Sequence, residues 1–272
     1  MTKEHAGILH PGAMGVSVAA SAKAGGHDVC WASEGRSTKT QARATQVGLR
    51  DVGTVAQLCA TCSTLISVCP PHAAEEVAAQ VLANSFTGLY LDANAIAPQR
   101  VAQIGEKMAG AGVTFVDGGI IGGPAWEPGR TWLYLSGQGA GRVADLFSAG
   151  PLETDVIGEE VGQASGLKMC YAAWTKGTTA LLGAILATAD TLGVWPQLQR
   201  QWDRNWPGFD EDAIRRVTRD TAKAWRFAGE MDEIAATLRQ AGLPGEFHAG
   251  AADIYQRLAG FKDADATPSL EE

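Results

Sequence analysis

The segment Gly7-Ile8-Leu9-His10-Pro11-Gly12-Ala13-Met14-Gly15 sets small residues between a short apolar run and an Ala-rich stretch. A turn of that composition between a strand and a helix lets backbone amides approach a pyrophosphate, and the helix N-terminus favours the negative charge. The usual spacing is G-x-G-x-x-G; here His10 stands at the first glycine position, while Gly12 and Gly15 keep theirs. His10, Pro11, Gly12, Ala13, Met14 and Gly15 are therefore expected to line the phosphates of a dinucleotide. An ordinary strand-to-helix turn can have the same composition, and a histidine in a turn more often packs than reacts. It is the flanking strand, helix and second strand that favour the cradle. That second strand ends at Ser33, followed by Glu34, Gly35, Arg36, Ser37 and Thr38. NAD binders place Asp or Glu at this end for the ribose hydroxyls. A neutral Ser33 does not repel a 2′-phosphate, Arg36 can pair with it bidentately, and Ser37 or Thr38 can donate to it. Glu34, one residue along, is the acid an NAD reading would use. The residues favour NADP over NAD.

The cysteines point away from metal chemistry. Cys59 and Cys62 form a C-x-x-C pair, but no second pair or histidine lies at ligand spacing, so no metal site is expected. Five cysteines in a 272-residue chain whose polar beginning reads as lacking a secretion signal suggest reduced thiols and a cytoplasmic protein. The net charge of -8 excludes a general affinity for nucleic acid or an anionic membrane, although local backbone dipoles can still bind an anionic cofactor. No stretch approaches the roughly 18 unbroken apolar residues of a membrane span. The longest apolar run, near residues 179–189, contains Gly183 and Thr188.

The elements that must position these residues follow from patterning. Residues 6–9, 27–32, 64–68, 89–92, 113–116 and 131–135 read as strands, and 14–24, 73–82, 99–109 and 140–148 as helices. Gly25-Gly26 and Pro70-Pro71 act as stops. This rhythm gives βαβ units on a parallel sheet. The expected fold is α/β: an N-terminal Rossmann domain with a doubly wound parallel sheet, followed by an all-α C-terminal domain. From residue 163 to 192 there is no proline, and one long, mostly buried helix is expected, with Gly166, Gly177 and Gly183 as weak points. Three or four helices should follow, broken at Gly242-Leu243-Pro244-Gly245. The expected domains are 1–161 for the NADP-binding part, 162–262 for a helical substrate and dimerisation part, and 263–272 for a polar tail.

The order of motifs resembles the β-hydroxyacid dehydrogenases, the group that includes 6-phosphogluconate and 3-hydroxyisobutyrate dehydrogenases. The resemblance covers most of the chain and is strongest over residues 7–192. The C-terminal part looks closer to uncharacterised phosphogluconate-dehydrogenase-like proteins. Four segments carry it: Gly12-Ala13-Met14-Gly15; Asp92-Ala93-Asn94-Ala95-Ile96-Ala97-Pro98; Asp117-Gly118-Gly119-Ile120-Ile121-Gly122-Gly123; and Gly162-Gln163-Ala164-Ser165-Gly166-Leu167-Lys168. The resemblance makes Lys168 the catalytic lysine. Asn94 and Ala95 replace a Ser-Thr pair, Ile121 replaces a serine ahead of Gly122 and Gly123, and Ala172 replaces an asparagine. These departures fall on substrate contacts, so the family's small 3-hydroxy carboxylates do not carry over, and Ile121 suggests a larger or more apolar substrate.

A lysine beside a nicotinamide cofactor can relay the hydroxyl proton when burial or a cation lowers its pKa. In this reading Lys168 and Asn94 serve catalysis. Ile121, the amides of Gly122 and Gly123, Tyr171 and His248 meet the small-molecule substrate, and Cys69, Pro70 and Asn94 lie on the cofactor side. Tyr171 and Trp174 read more often as core residues than as substrate contacts, and Lys176 reads as a surface charge. Trp195, Trp202, Trp206 and Trp225 fit either a pocket or the interface of a homodimer. The main reading is an NADP-dependent dehydrogenase acting on a hydroxy acid or related alcohol. An imine or ketone reductase of the same fold and a non-catalytic nucleotide-binding sensor are the alternatives.

Overall fold

The structure is a computed structural model and describes residues 4–262. The expected tail over 263–272 lies outside them. The chain divides into two compact units between Lys168 and Met169, a division that falls inside a helix and not ahead of it.

The first unit runs β1 (His5–Ile8), α1 (Ala13–Ala24), β2 (Asp28–Trp31), α2 (Thr38–Val47), β3 (Arg50–Asp51), α3 (Val55–Thr61), β4 (Thr64–Ser67), α4 (Ala74–Ala83), β5 (Leu89–Asp92), α5 (Pro98–Gly110), β6 (Thr114–Gly122), β7 (Thr131–Ser136), α6 (Ala140–Phe147) and β8 (Glu153–Gly158). Its strands form one sheet in the order β3-β2-β1-β4-β5-β6-β7-β8. The first six are parallel, β7 runs antiparallel to β6, and β8 runs parallel to β7. The order reverses between β1 and β4, and in such a sheet the crevice outside the carboxyl ends of those strands takes the ligand. Successive strand residues face opposite sides of the sheet. Ile66 and Leu91 join Ile8, Val18 and Leu133 in one core, while Leu65 and Tyr90 join Leu58, Ile104 and Phe115 in the other. Burial on both faces is why these strands read as continuous apolar runs rather than alternating ones.

Three features differ from the sequence expectation. The segment α2–β3–α3 was not anticipated. Its helices are short but well capped: Ser37 caps α2, Gly48 ends it at φ +70, and Thr54 with Gln57 forms a capping box on α3. β3 has only two residues, too few for periodicity to register. The fifth expected strand continues to Gly122, so the run Asp117–Gly122 is strand and not loop. β8, half of it exposed and none of it fully buried, carries no apolar alternation and was missed.

The second unit is helical. α7 (Gln163–Ala172) crosses the division and leads into a π turn at Ala173–Gly177, followed by α8 (Thr178–Thr191), α9 (Trp195–Asn205), α10 (Phe209–Thr221), α11 (Ala224–Gln240) and α12 (Glu246–Arg257). The expected single helix over 163–192 is thus interrupted. Single π turns carry one extra residue and loosen the carbonyl ladder. Here side chains of α12 meet the freed carbonyls: Tyr255 Oη donates to Lys176 O at 2.7 Å, and His248 Nε2 lies 3.3 Å from Ala173 O. Trp202 packs edge-on against Trp195 and Phe209, with centroids 5.8 and 5.1 Å away. These rings form the contact of α9 with α10, while Trp206 and Trp225 are exposed. Among the described residues, no helix is long and apolar enough to cross a membrane.

Lys176 is not the surface charge expected from sequence. Its ammonium is ion-paired with Glu230 and sits 4.4 Å from the centre of the Phe227 ring; the two charged side chains are only 18% and 15% exposed. Lys176→Met leaves the Glu230 carboxylate without this cation. It is expected to cost roughly 3 kcal/mol in urea unfolding. A loss under about 0.5 kcal/mol would mean the pair behaves as an exposed one.

Candidate functional site

The cradle is built by backbone. Leu9 N donates to Ile66 O at 3.0 Å, fixing the exit of β1 on β4, and Gly12 N folds back to His10 O at 2.9 Å. Gly12 is the N-cap of α1; it has no capping side chain, and the first turn holds no acid. The opening amides of α1 therefore keep their capacity for an anion. A Cβ at Gly12 would meet nothing within 4 Å, so the space in front of the turn is open. At Gly15 a Cβ would stand 2.1 Å from the His10 carbonyl oxygen. The two glycines thus serve different ends: Gly12 leaves room, and Gly15 allows α1 to pack on the turn.

Two side chains edge this turn. Burial, and then the charge of Arg36, lower the His10 imidazole to about 4, which makes it neutral at physiological pH. Burial also lowers the Arg36 guanidinium below its ordinary value, from a start high enough that it stays charged. The buried atoms Nδ1 of His10 and Nε of Arg36 find no hydrogen-bond partner among the described residues. A polar donor set gathered beside an open backbone cradle fits a phosphate group. Arg36 is held by the turn after β2, where its N–H donates to Ser33 O at 3.1 Å and Gly35 takes φ +70. Ser37 is committed to capping α2, accepting from Thr40 N at 3.3 Å, so it shapes the turn that presents Arg36. Glu34 is exposed.

Across the crevice, Asn94 ties two strand ends together. Its Oδ1 accepts from Cys69 N at 2.6 Å, its Nδ2 donates to Ser67 Oγ at 3.0 Å, and its N–H donates to Asp92 Oδ1 at 3.0 Å. Asn94 is buried. Its amide thus has a positioning role, setting Cys69 and Pro70 at the mouth, in place of the direct substrate contact read from sequence. Burial pushes the Cys69 thiol up to about 12, so it is an uncharged part of that wall. Beneath it, burial first, and then the neighbouring Asp117, raise the Asp92 carboxyl to about 7, against the pull of its hydrogen bond from Asn94.

On the far side of the sheet's switch point, β6 ends at Gly122, whose φ is +126. Gly123 O accepts from Thr131 Oγ1 at 2.8 Å, and Ala125 N donates to the buried Ser17 Oγ of α1 at 2.9 Å. Ser17, which sequence reasoning passed over, therefore pins the β6–β7 hairpin to the cradle helix. The available signal was Ser17 and Ser21, two serines on the buried side of an Ala-rich helix. Ile121 pairs across the hairpin with Trp132. Lys168, half-buried, ends the first unit. It lies over β6: a Cβ at Gly119 would come 3.2 Å from Lys168 Cβ and 2.5 Å from Ala164 O. Asp117, Ser136 and Ser165, none of them singled out from sequence, join β6 and β7 to the start of α7. In the helical unit Tyr171 is exposed, whereas His248 is buried against the π turn with its Nε2 on Ala173 O. That contact makes His248 part of the framework of its own unit.

Comparisons with known proteins bear on the fold. Residues 6–138 match the NAD binding domain of 6-phosphogluconate dehydrogenase, and residues 189–258 match a domain of unknown function, DUF1932. An uncharacterized 28.5 kDa protein from the 7S RNA 5′ region of Methanothermus fervidus is 31% identical over 166 residues. That match spans 61% of this chain and 63% of the curated relative, a little under two thirds of its length. A conserved protein of unknown function, whose structure revealed similarity with 3-hydroxyacid dehydrogenases, superposes with a TM-score of 0.72 at 26% identity, covering 94% of this chain and 97% of that one. The 3-hydroxyisobutyrate dehydrogenase of Mycobacterium tuberculosis has the same fold, with a TM-score of 0.71 at 16% identity, covering 99% and 97%. Over residues 6–138 the chain is thus similar to the NAD binding domain of 6-phosphogluconate dehydrogenase, and its fold is similar to that of the 3-hydroxyacid dehydrogenases.

Proposed function

We propose that the chain is an NADP-dependent oxidoreductase that moves a hydride to or from a hydroxy acid or a related alcohol or carbonyl compound, with Lys168 as the proton relay. The observation that carries this reading is the open cradle at Gly12, edged by the charged Arg36 whose buried Nε has no partner among the described residues. The bound dinucleotide supplies the hydride acceptor or donor. The chain's own residues do the rest. The amides that open α1 bind the pyrophosphate, and Arg36 pairs with the 2′-phosphate. Asn94 keeps the wall at Cys69 and Pro70 in place. The amine of Lys168 takes or gives the proton at the substrate oxygen, and Ile121, Gly122 and Gly123 border the substrate.

The same reading takes the protein as a homodimer formed through the helical unit, where Leu181, Leu192, Val194, Leu243 and Phe247 are exposed. It also takes it as cytoplasmic, a compartment in which the five unpaired cysteines stay reduced. Nucleic acid and membrane are not expected partners.

The test is a fluorescence titration with NADPH and with NADH. Wild-type protein is expected to prefer NADPH. Arg36→Ala should weaken NADPH about tenfold to hundredfold, the worth of one charge-assisted pairing, and leave NADH unchanged. Lys168→Ala should keep NADPH affinity and lose turnover across a panel of hydroxy acids. Absence of binding by either dinucleotide would end the oxidoreductase reading; equal affinity for both would end the assignment to NADP.

A further inference from the structure

The start of α7 is capped by the sheet and not by a residue of its own. Asp117 on β6 and Ser136 on β7 stand opposite one another, and both are fully buried. Asp117 Oδ2 accepts from Gly162 N at 2.9 Å, Ser165 N at 3.0 Å and Ser136 Oγ at 3.1 Å, and its Oδ1 accepts from Ser165 Oγ at 2.6 Å. Ser136 Oγ in turn accepts from Ala164 N at 3.1 Å. Amides that a helix N-terminus leaves without partners are thus satisfied by two strand side chains.

This arrangement decides the charge of Asp117. Two of its donors are backbone N–H groups, which cannot accept. The Ser136 hydroxyl already takes the Ala164 N–H and so turns its own hydrogen to Asp117. The crowded Oδ2 has no place for a proton, and these donors hold Asp117 toward its carboxylate form against burial, which raises the carboxyl above its ordinary value. Its neighbour in register on β5, Asp92, differs. Asp92 has one backbone donor, from Asn94, and its buried Oδ2 has no partner among the described residues. Of the two adjacent acids, Asp92 is the one with room for a proton, and their mutual repulsion favours that division.

From this cap the two elements run side by side toward Lys168. Ser165 and Lys168 are three residues apart and neighbours on one helix face. Asp117 and Gly119 are two residues apart on one face of β6. Gly119 lacks a side chain where Ala164 O and Lys168 Cβ approach it. Asp117 therefore grips the turn of α7 from which Lys168 projects, about 7 Å along the strand from the point where that side chain begins.

We propose that Asp117 is the positioning residue for Lys168: its carboxylate locks the first turn of α7 onto β6, and its negative charge raises the proton affinity of the Lys168 amine. The proposal rests on the reading of Lys168 as the proton relay.

The experiment is acetylation of the whole protein with acetic anhydride across a pH series, with the midpoint for each lysine read by peptide mass spectrometry. Asp117→Asn removes the charge and keeps the shape, because the amide oxygen can take the three donors of Oδ2 and the amide N–H can face Ser165 Oγ. It is expected to lower the Lys168 midpoint by about one pH unit, the scale of one charge at that separation in a partly buried setting. Lys107 and Lys176 should not move, and NADPH affinity should stay within about twofold. Asp117→Ala should in addition speed hydrogen exchange at the amides of Gly162, Ala164 and Ser165 by at least about tenfold. A Lys168 midpoint unchanged in both variants would overturn the proposal, as would an equal shift at all three lysines. Should the variants fail to fold, the carboxyl 13C shift of Asp117 in the wild-type protein decides: ionisation at neutral pH is expected, and a protonated Asp117 there overturns the proposal. Failure of NADPH to bind would sink the dehydrogenase reading while leaving these midpoints interpretable.

Discussion

Gly15→Ala is expected to abolish dinucleotide binding and to cost roughly 3 kcal/mol of stability, the upper range for overpacking a tight contact. The added methyl would lie 2.1 Å from the His10 carbonyl oxygen and 3.6 Å from Ile8 Cδ1. The first of these is backbone, so no rotamer change relieves it. Either α1 must lift away from the turn or the turn must deform, and both displace the amides that face the phosphates. Gly12→Ala provides the contrast. Gly12 has φ -67, an ordinary value for alanine, and its Cβ would meet nothing within 4 Å. The folded protein should tolerate it within about 0.5 kcal/mol, yet the methyl would project into the space a pyrophosphate needs, and NADPH affinity should fall at least about tenfold. Urea unfolding and fluorescence titration on the two variants check the pair. If Gly12→Ala binds NADPH normally, the cofactor does not approach this turn, and the cradle is only a packing feature.

Asp92→Asn is expected to stabilise the protein at pH 8 and to be nearly neutral near pH 4.5. Burial holds the Asp92 carboxyl at about 7 in the folded state, above its ordinary 3.8. Between those values the native state binds more protons than the unfolded chain, so this group's contribution falls as pH rises from about 4 through about 7. Complete ionisation then costs about 4 kcal/mol relative to the protonated form. His10 acts in the opposite direction. Its folded value near 4 lies below its ordinary 6.5, so the native state binds fewer protons over that window and stability rises with pH there. The two slopes oppose each other below about pH 6.5. The wild-type profile should therefore be shallow in mild acid and decline toward pH 8. Asp92→Asn should leave the His10 slope alone, giving stability that rises to pH 6.5 and then holds, with a gain of roughly 3 kcal/mol at pH 8. Denaturant unfolding at pH 4.5, 6.5 and 8 measures this. A variant less stable than wild type at pH 8 would mean the ionised carboxylate has a stabilising partner.

What the sequence by itself determined was local or periodic. Gly12 and Gly15 at fixed spacing between an apolar run and an Ala-rich helix identify the cradle, because a close backbone approach admits only glycine at defined positions. The strand–helix rhythm identifies the parallel sheet, and a proline-free, Ala- and Leu-rich stretch identifies the helical half. Arg36 is legible for the same reason, since the end of β2 lies at a set distance from the cradle.

Only the tertiary structure decided which polar groups serve the framework and which face the crevice. Asn94 closes on Ser67 and Cys69 across 27 and 25 residues, Asp117 on Ser165 across 48, Ser17 on Ala125 across 108, and Lys176 on Glu230 across 54. No local pattern encodes such pairs, because each partner alone resembles an ordinary exposed polar residue. Their roles follow from burial, which makes an unpaired polar group costly and draws distant donors and acceptors together. The extension of β6 through Asp117–Gly122 has the same origin: glycines that read as a loop are strand residues, because Leu91, Leu133 and the Ala164 carbonyl leave no room there for a side chain.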